Sequence, residues 1–190
     1  MIDWHVIFVN DLVKIFQILD SGSKEEKIEV LESLDQSNNP EIIKKIISML
    51  SDPEIRVRGE AFSSLLLNKN NISEFLIQSL TSDNNNKGFS ALVLANRGDS
   101  SAIPTLEILT TDTNSMIRSY ALGALGYLHS YGSSTKIRNC FKDEELEVRK
   151  SALEAFFKID AKIFPNEVKQ LTKDGDDELI FLIRKISKNM

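Results

Sequence analysis

The residues able to do chemistry are few, and their spacing argues against most reactions. Cys140 is the single cysteine, and His5 and His129 are the only histidines. One thiol and two imidazoles fall short of a four-ligand zinc site, and they give no Cys/His pair at nucleophile spacing. Val6 and Ser130 follow the two histidines, so no His-Glu pair exists to hold iron, which excludes metal-dependent hydroxylation. The sequence has neither a glycine-rich phosphate loop nor a G-x-S-x-G elbow. Acidic clusters at Asp143, Glu144, Glu145, Glu147 and at Asp174, Asp176, Asp177, Glu178 fall where helices should begin. There, negative side chains offset the helix dipole. The second cluster also lacks the alternating ligands of a calcium loop. Cys140 reads as a small buried hydrophobe and His129 as a solvated residue near a helix end. The expectation is no catalytic residues, no cofactor, no metal and no enzyme.

Two other sets of residues are more informative. Arg56, Arg58, Arg118 and Arg149 recur along the chain and could be taken for a phosphate-tracking stripe. The chain has 28 acidic against 23 basic side chains, a net charge of −5 and a pI near 5.2, so nucleic acid is not the expected partner. All three tyrosines, Tyr120, Tyr127 and Tyr131, fall within twelve residues at i, i+7 and i+11, and Gly123 and Gly126 lie between them. This spacing places them on one side of a single helix, at register positions that are mainly polar elsewhere in the chain (Glu60, Ser90 and Ser151 for Tyr120), so they should be at least partly exposed, where tyrosines offer contact area at low entropic cost. They are the candidate partner-binding residues.

The elements that must position these groups follow from an internal repeat. Aspartates stand at 52, 83, 112, 143 and 174, and alanines at 61, 91, 121 and 152, with spacings of 29 to 31 residues in both columns. Apolar residues between them recur at helical spacing, as in IRSYALGALGYL and VRKSALEAFFKI. Each unit is therefore a longer helix A, a loop, a shorter helix B and an Asp-bearing turn. The helix pairs fall near 24–51, 53–81, 84–110, 113–141 and 144–172, and a last helix runs from 175 to 188. Pro40, Pro53 and Pro104 sit at or near helix starts, where a missing N–H costs nothing. Residues 1–20 predict an apolar helix, capped by Asp3 and sealing one end of the core. Its polar breaks exclude a signal peptide or a membrane span. No hairpin buries its apolar face alone, so neighbours must stack. The fold class is all-α, a right-handed α-solenoid (superhelix) of about five helix pairs over 24–188 with an added helix at each end, a single domain overall.

The register D-x5-R-x2-A reads as Asp52, Arg58, Ala61; Asp112, Arg118, Ala121; and Asp143, Arg149, Ala152. In this the chain resembles the HEAT-repeat family, specifically the short HEAT-like repeats of phycobilisome lyase proteins. The resemblance implies that Asp52, Arg58, Asp112, Arg118, Asp143 and Arg149 form an inter-repeat hydrogen-bonding ladder and that the alanines let A helices approach. Position 88, where an arginine is due, is glycine, with Lys87 beside it. The expected function is a noncatalytic cytoplasmic scaffold or adaptor that binds a protein partner, with B helices lining a concave face. One alternative is a bilin lyase or chaperone-like role on a client protein. The other is nucleic-acid binding through Lys44, Lys45, Lys136 and Arg138, against which Glu41, Glu74, Glu107 and Glu167 count.

Overall fold

The computed structural model describes residues 4–82, 86–159, 162–172 and 176–187. Asp3, Asp83 and Asp174 lie outside the described residues, as do the side chains of Trp4, Ile7 and Phe8. Twelve α-helices and no strand occur among the described residues. The chain divides into two compact units, residues 1–93 and 94–190.

The first unit contains α1 (Trp4–Ser21), α2 (Lys24–Ser33), α3 (Pro40–Ser48), α4 (Ile55–Leu67), α5 (Ser73–Thr81) and the start of α6 (Lys87–Asn96). Local chemistry sets the helix starts. Ser23 accepts the Glu26 N–H while Glu26 reaches back to the Ser23 N–H, a capping box opening α2. Asn39 caps α3, where Pro40 takes the first-turn position that needs no donor. The A helices α2 and α4 pack together, and the B helix α3 packs on α4 and α5. Four isoleucines of α3, at 42, 43, 46 and 47, are buried with Leu76 and Leu80 of α5. Each such side chain contributes about 1.5–3 kcal/mol by leaving water, a gain no isolated hairpin could collect.

The second unit continues α6 and adds α7 (Ile103–Leu109), α8 (Ser115–Tyr127), α9 (Ser134–Asn139), α10 (Leu146–Lys158), α11 (Pro165–Leu171) and α12 (Asp177–Ser187). Its A helices α8 and α10 pack side by side, α7 lies on α8, and α9 and α12 lie on α10. Ala121 and Ala152 are fully buried, which permits this approach. Phe141 and Phe156 meet edge to face, ring centroids 5.1 Å apart. Helix α6 ends with the Asp99 N–H bonded to Leu94 O and the Gly98 N–H to Ala95 O, and α8 ends in the same pattern through Ser130 and His129. This is the Schellman cap, which needs a left-handed residue. Gly98 supplies it at φ 69° and His129 at φ 49°.

Candidate interaction surface on the fourth repeat

The repeat aspartate performs two tasks at once. Oδ1 of Asp52, Asp112 and Asp143 accepts the N–H two residues on, from Glu54, Asn114 and Glu145 respectively, and so shapes the turn into the next A helix. The remaining acceptor capacity of Asp143 meets Arg118 of the preceding repeat. Nε of Arg118 donates to Oδ2 at 2.8 Å and Nη2 to Oδ1 at 2.7 Å, a bidentate pair. Nη1 turns back to the carbonyls of Asp112 and Thr113. Arg118 is only 9% exposed, and the Asp143 hydrogen bonds raise its pKa above the ordinary guanidinium value. Arg58 and Arg149 make the same backward bonds, to the carbonyls of Asp52 and Pro53 and of Asp143 and Glu144. The aspartates one repeat ahead of these two arginines, Asp83 and Asp174, lie outside the described residues.

A lysine also serves as a rung. Lys27, at the arginine register of the first repeat, donates to Asp52 Oδ2 at 2.8 Å. The last repeat adds Lys150, whose ammonium lies 2.6 Å from both Asp176 and Glu178 and 3.1 Å from Glu147. Hydrogen bonding to Asp176 first and Glu178 next raises the Lys150 pKa, and the same contact lowers that of Asp176. The acidic side chains at the start of α12 thus hold that helix to α10, a role beyond offsetting the dipole. In the B layer, Arg138 pairs with buried Glu167 and lies over the rings of Phe156 and Phe164, 4.6 and 5.0 Å from their centroids.

A cleft of about 480 Å³ lies over the fourth turn, lined by Asp112, Arg118, Asn139, Cys140, Lys142 and Asp143 among others. Cys140 is buried beneath it. Burial, and then the nearby Asp143 carboxylate, pushes the thiol up to about 11. No group of three His, Cys, Asp or Glu side chains is placed to hold a metal among the described residues, and none of the described helices is long and apolar enough to cross a membrane.

The tyrosines do not share one helix. Helix α8 ends at Tyr127, the chain turns at Leu128 and His129, and Tyr131 opens a short 3-10 turn leading into α9. The i+11 spacing therefore does not put Tyr131 on the Tyr120 side, because the left-handed cap intervenes. Tyr120 is half-buried, and its register column is no guide to exposure, since the equivalent Ser90 is fully buried against Ser79. Tyr127 and Tyr131 are 51% and 65% exposed. Lys158 caps the Tyr127 ring at 5.2 Å. His129 is exposed but not merely solvated: its Nδ1 lies 2.9 Å from the Lys158 carbonyl oxygen in the next repeat. The two glycines differ. A Cβ on Gly126 would lie 2.6 Å from Ala155 Cα, whereas one on Gly123 would meet nothing within 4 Å. What approaches Gly126 is the neighbouring helix α10.

A compositional feature completes the surface. Residues 113–142 contain no Asp or Glu, yet carry Arg118, Lys136, Arg138 and Lys142, in a chain with 28 acidic residues. The signal is visible in the sequence once charges are counted repeat by repeat. Thr135, Lys136, Asn139 and Lys142 are exposed along α9 and the turn after it, continuous in the chain with exposed Tyr131 and Gly132.

No family model and no curated protein matches the sequence. Among solved structures, the crystal structure of an engineered protein aligns with a TM-score of 0.54 at 18% identity, covering 94% of this chain and 96% of the other. A second engineered protein aligns at 0.51 with the same identity and coverage. A designed armadillo repeat protein aligns at 0.48 and 16% identity over 91% of this chain and 97% of its own. At such identities the first two alignments speak to fold alone, and they agree with the repeated helix pairs in assigning an all-α solenoid.

Proposed function

We propose that the chain is a noncatalytic scaffold or adaptor that binds a protein partner through the fourth repeat. The observation that carries this reading is the pair Tyr127 and Tyr131, both largely exposed on a repeat that its neighbour holds through the Arg118–Asp143 pair. Large aromatic side chains on a preorganised support lose little freedom on binding and concentrate contact energy. The D-x5-R-x2-A register supports placing the repeats in the HEAT-like class. We extend the likeness to phycobilisome lyases no further than the scaffold, because no bilin-specific residue pattern accompanies it. A cytoplasmic location belongs to the same proposal and rests on the single thiol.

The test is quantitative affinity capture from the source cell with the wild-type chain and a Tyr127→Ala/Tyr131→Ala variant of equal melting temperature. At least one captured protein should fall about tenfold with the variant, and should rebind the wild-type chain when purified. Identical recovery by both chains would overturn the assignment.

A further inference from the structure

We infer that the partner segment docking on the fourth repeat is acidic, an extended stretch of Asp or Glu carrying an apolar or aromatic residue. The inference deepens the scaffold reading and rests on it. Its ground is charge complementarity. The chain as a whole is acidic, with a net charge of −5, so its overall charge disfavours an acidic partner. The thirty-residue stretch 113–142 is the exception, with four cations and no carboxylate.

Two of those cations are structural: Arg118 is bound to Asp143 and Arg138 to Glu167. Lys136 and Lys142 are exposed and form no ion pair among the described residues, so their charge is available. They flank Asn139, an exposed side chain with both donors and an acceptor. At the other end Tyr131 leads directly into α9, and at the end of α8 the Tyr127 ring is capped by the ammonium of exposed Lys158. Along the chain the tyrosines precede α9, Lys136 lies on it and Lys142 in the turn after it, so a segment that follows the repeat meets both kinds of group. The lysines steer encounter and select sign, while the tyrosines supply the contact area.

A polyphosphate is a poorer match for the same face. Exposed Glu144, Glu145 and Glu147 follow Lys142 within five residues, and a duplex or long single strand would have to run over them. A short peptide that brings its carboxylates to Lys136 on α9 avoids them.

The experiment uses the full chain and fluorescence anisotropy with a short labelled peptide of Glu-Glu-Phe repeats. A Lys-Lys-Phe peptide and a single-stranded oligonucleotide of matched length serve as comparison probes. The Glu-Glu-Phe peptide should bind in the micromolar range and weaken about tenfold as salt rises to about 0.3 M. Lys136→Glu/Lys142→Glu should abolish this binding, and the milder Lys136→Gln/Lys142→Gln, a safeguard should the reversal misfold, should weaken it several-fold. Tyr127→Ala/Tyr131→Ala should weaken it about tenfold, and Lys14→Glu at an exposed position of α1 should leave it unchanged.

Equal binding of the Lys-Lys-Phe peptide, tighter binding of the oligonucleotide, or indifference to the lysine variants would each overturn the inference. The two readings separate in affinity capture. A protein lost with the tyrosine variant but retained by Lys136→Glu/Lys142→Glu would leave the scaffold standing and remove the acidic partner. If neither variant changed the captured set, both readings would fall.

Discussion

Removing Arg118 tests whether the ladder joins repeats or merely decorates turns. In the folded chain one guanidinium makes four hydrogen bonds: two to the Asp143 carboxylate and two to the carbonyls of Asp112 and Thr113. Arg118→Met keeps the apolar stem and deletes all four. The Asp143 side chain, 12% exposed, would keep its bond from the Glu145 N–H but lose its counter-charge. Hydrogen bonds to charged groups contribute about 1.5–3 kcal/mol each, and the avoided desolvation of the guanidinium offsets part of that. The net loss should be about 3 kcal/mol. Asp143→Asn preserves the oxygen that accepts from Glu145, so a double-mutant cycle with Arg118→Met isolates the pair. Its coupling energy should be about 1–3 kcal/mol. The assay is denaturant unfolding followed by helical circular dichroism, paired with amide exchange. In a stack of repeats an interface loss is felt by its two neighbours, so protection should fall in α8 and α10. A coupling below about 0.5 kcal/mol, or unchanged exchange in those helices, would refute an inter-repeat role.

Two further predictions follow from packing and burial. Gly123→Ala should raise the melting temperature by about 2–4 °C, since alanine is favoured by about 1 kcal/mol in a helix and the site is open. Gly126→Ala should lower it, because the new methyl would press on the Ala155 backbone, an overpacking that costs about 1–3 kcal/mol. Shifts of the same sign in thermal scans would sink the distinction. Cys140, with its thiol pushed up to about 11, should react with a thiol reagent at pH 8 about a hundredfold more slowly than an unfolded control. Because the folded chain holds that proton more tightly than the unfolded one, the contribution to stability is complete below about pH 9 and is lost as pH rises toward 11. A Cys140→Ala variant should lack that component of the alkaline decline.

The periodicity that places twelve helices is legible in the sequence because apolar spacing and capping chemistry are local. Asn39 before Pro40, and aspartates every thirty-one residues or so, need no knowledge of neighbours. Pairing between repeats is legible only where residue type is restrictive. An arginine six residues after an aspartate suggests the ladder, but Lys27 fills the same position by geometry, and lysine is too common at helix starts to be noticed. Exposure was the least legible property. Ser90 is polar and buried because Ser79 satisfies it, while Tyr131 left the expected helix because His129 adopts a left-handed conformation, which residue spacing does not announce.

The ladder and the exposed lysines of the fourth repeat are physically linked. An exposed tyrosine or lysine contributes to binding only what remains after it is ordered, and ordering costs less on a support that is already fixed. Arg118 and Arg138 are paired inside the second unit with Asp143 and Glu167, which ties α8 to the turn before α10 and α9 to α11. Lys136, on a short helix that could not stay folded alone, and Lys142, in the turn after it, are left presenting their charge outward. If that division of labour is correct, Arg118→Met should weaken the Glu-Glu-Phe peptide indirectly, by loosening α9, and a salt dependence unchanged from wild type would separate this effect from a lost contact.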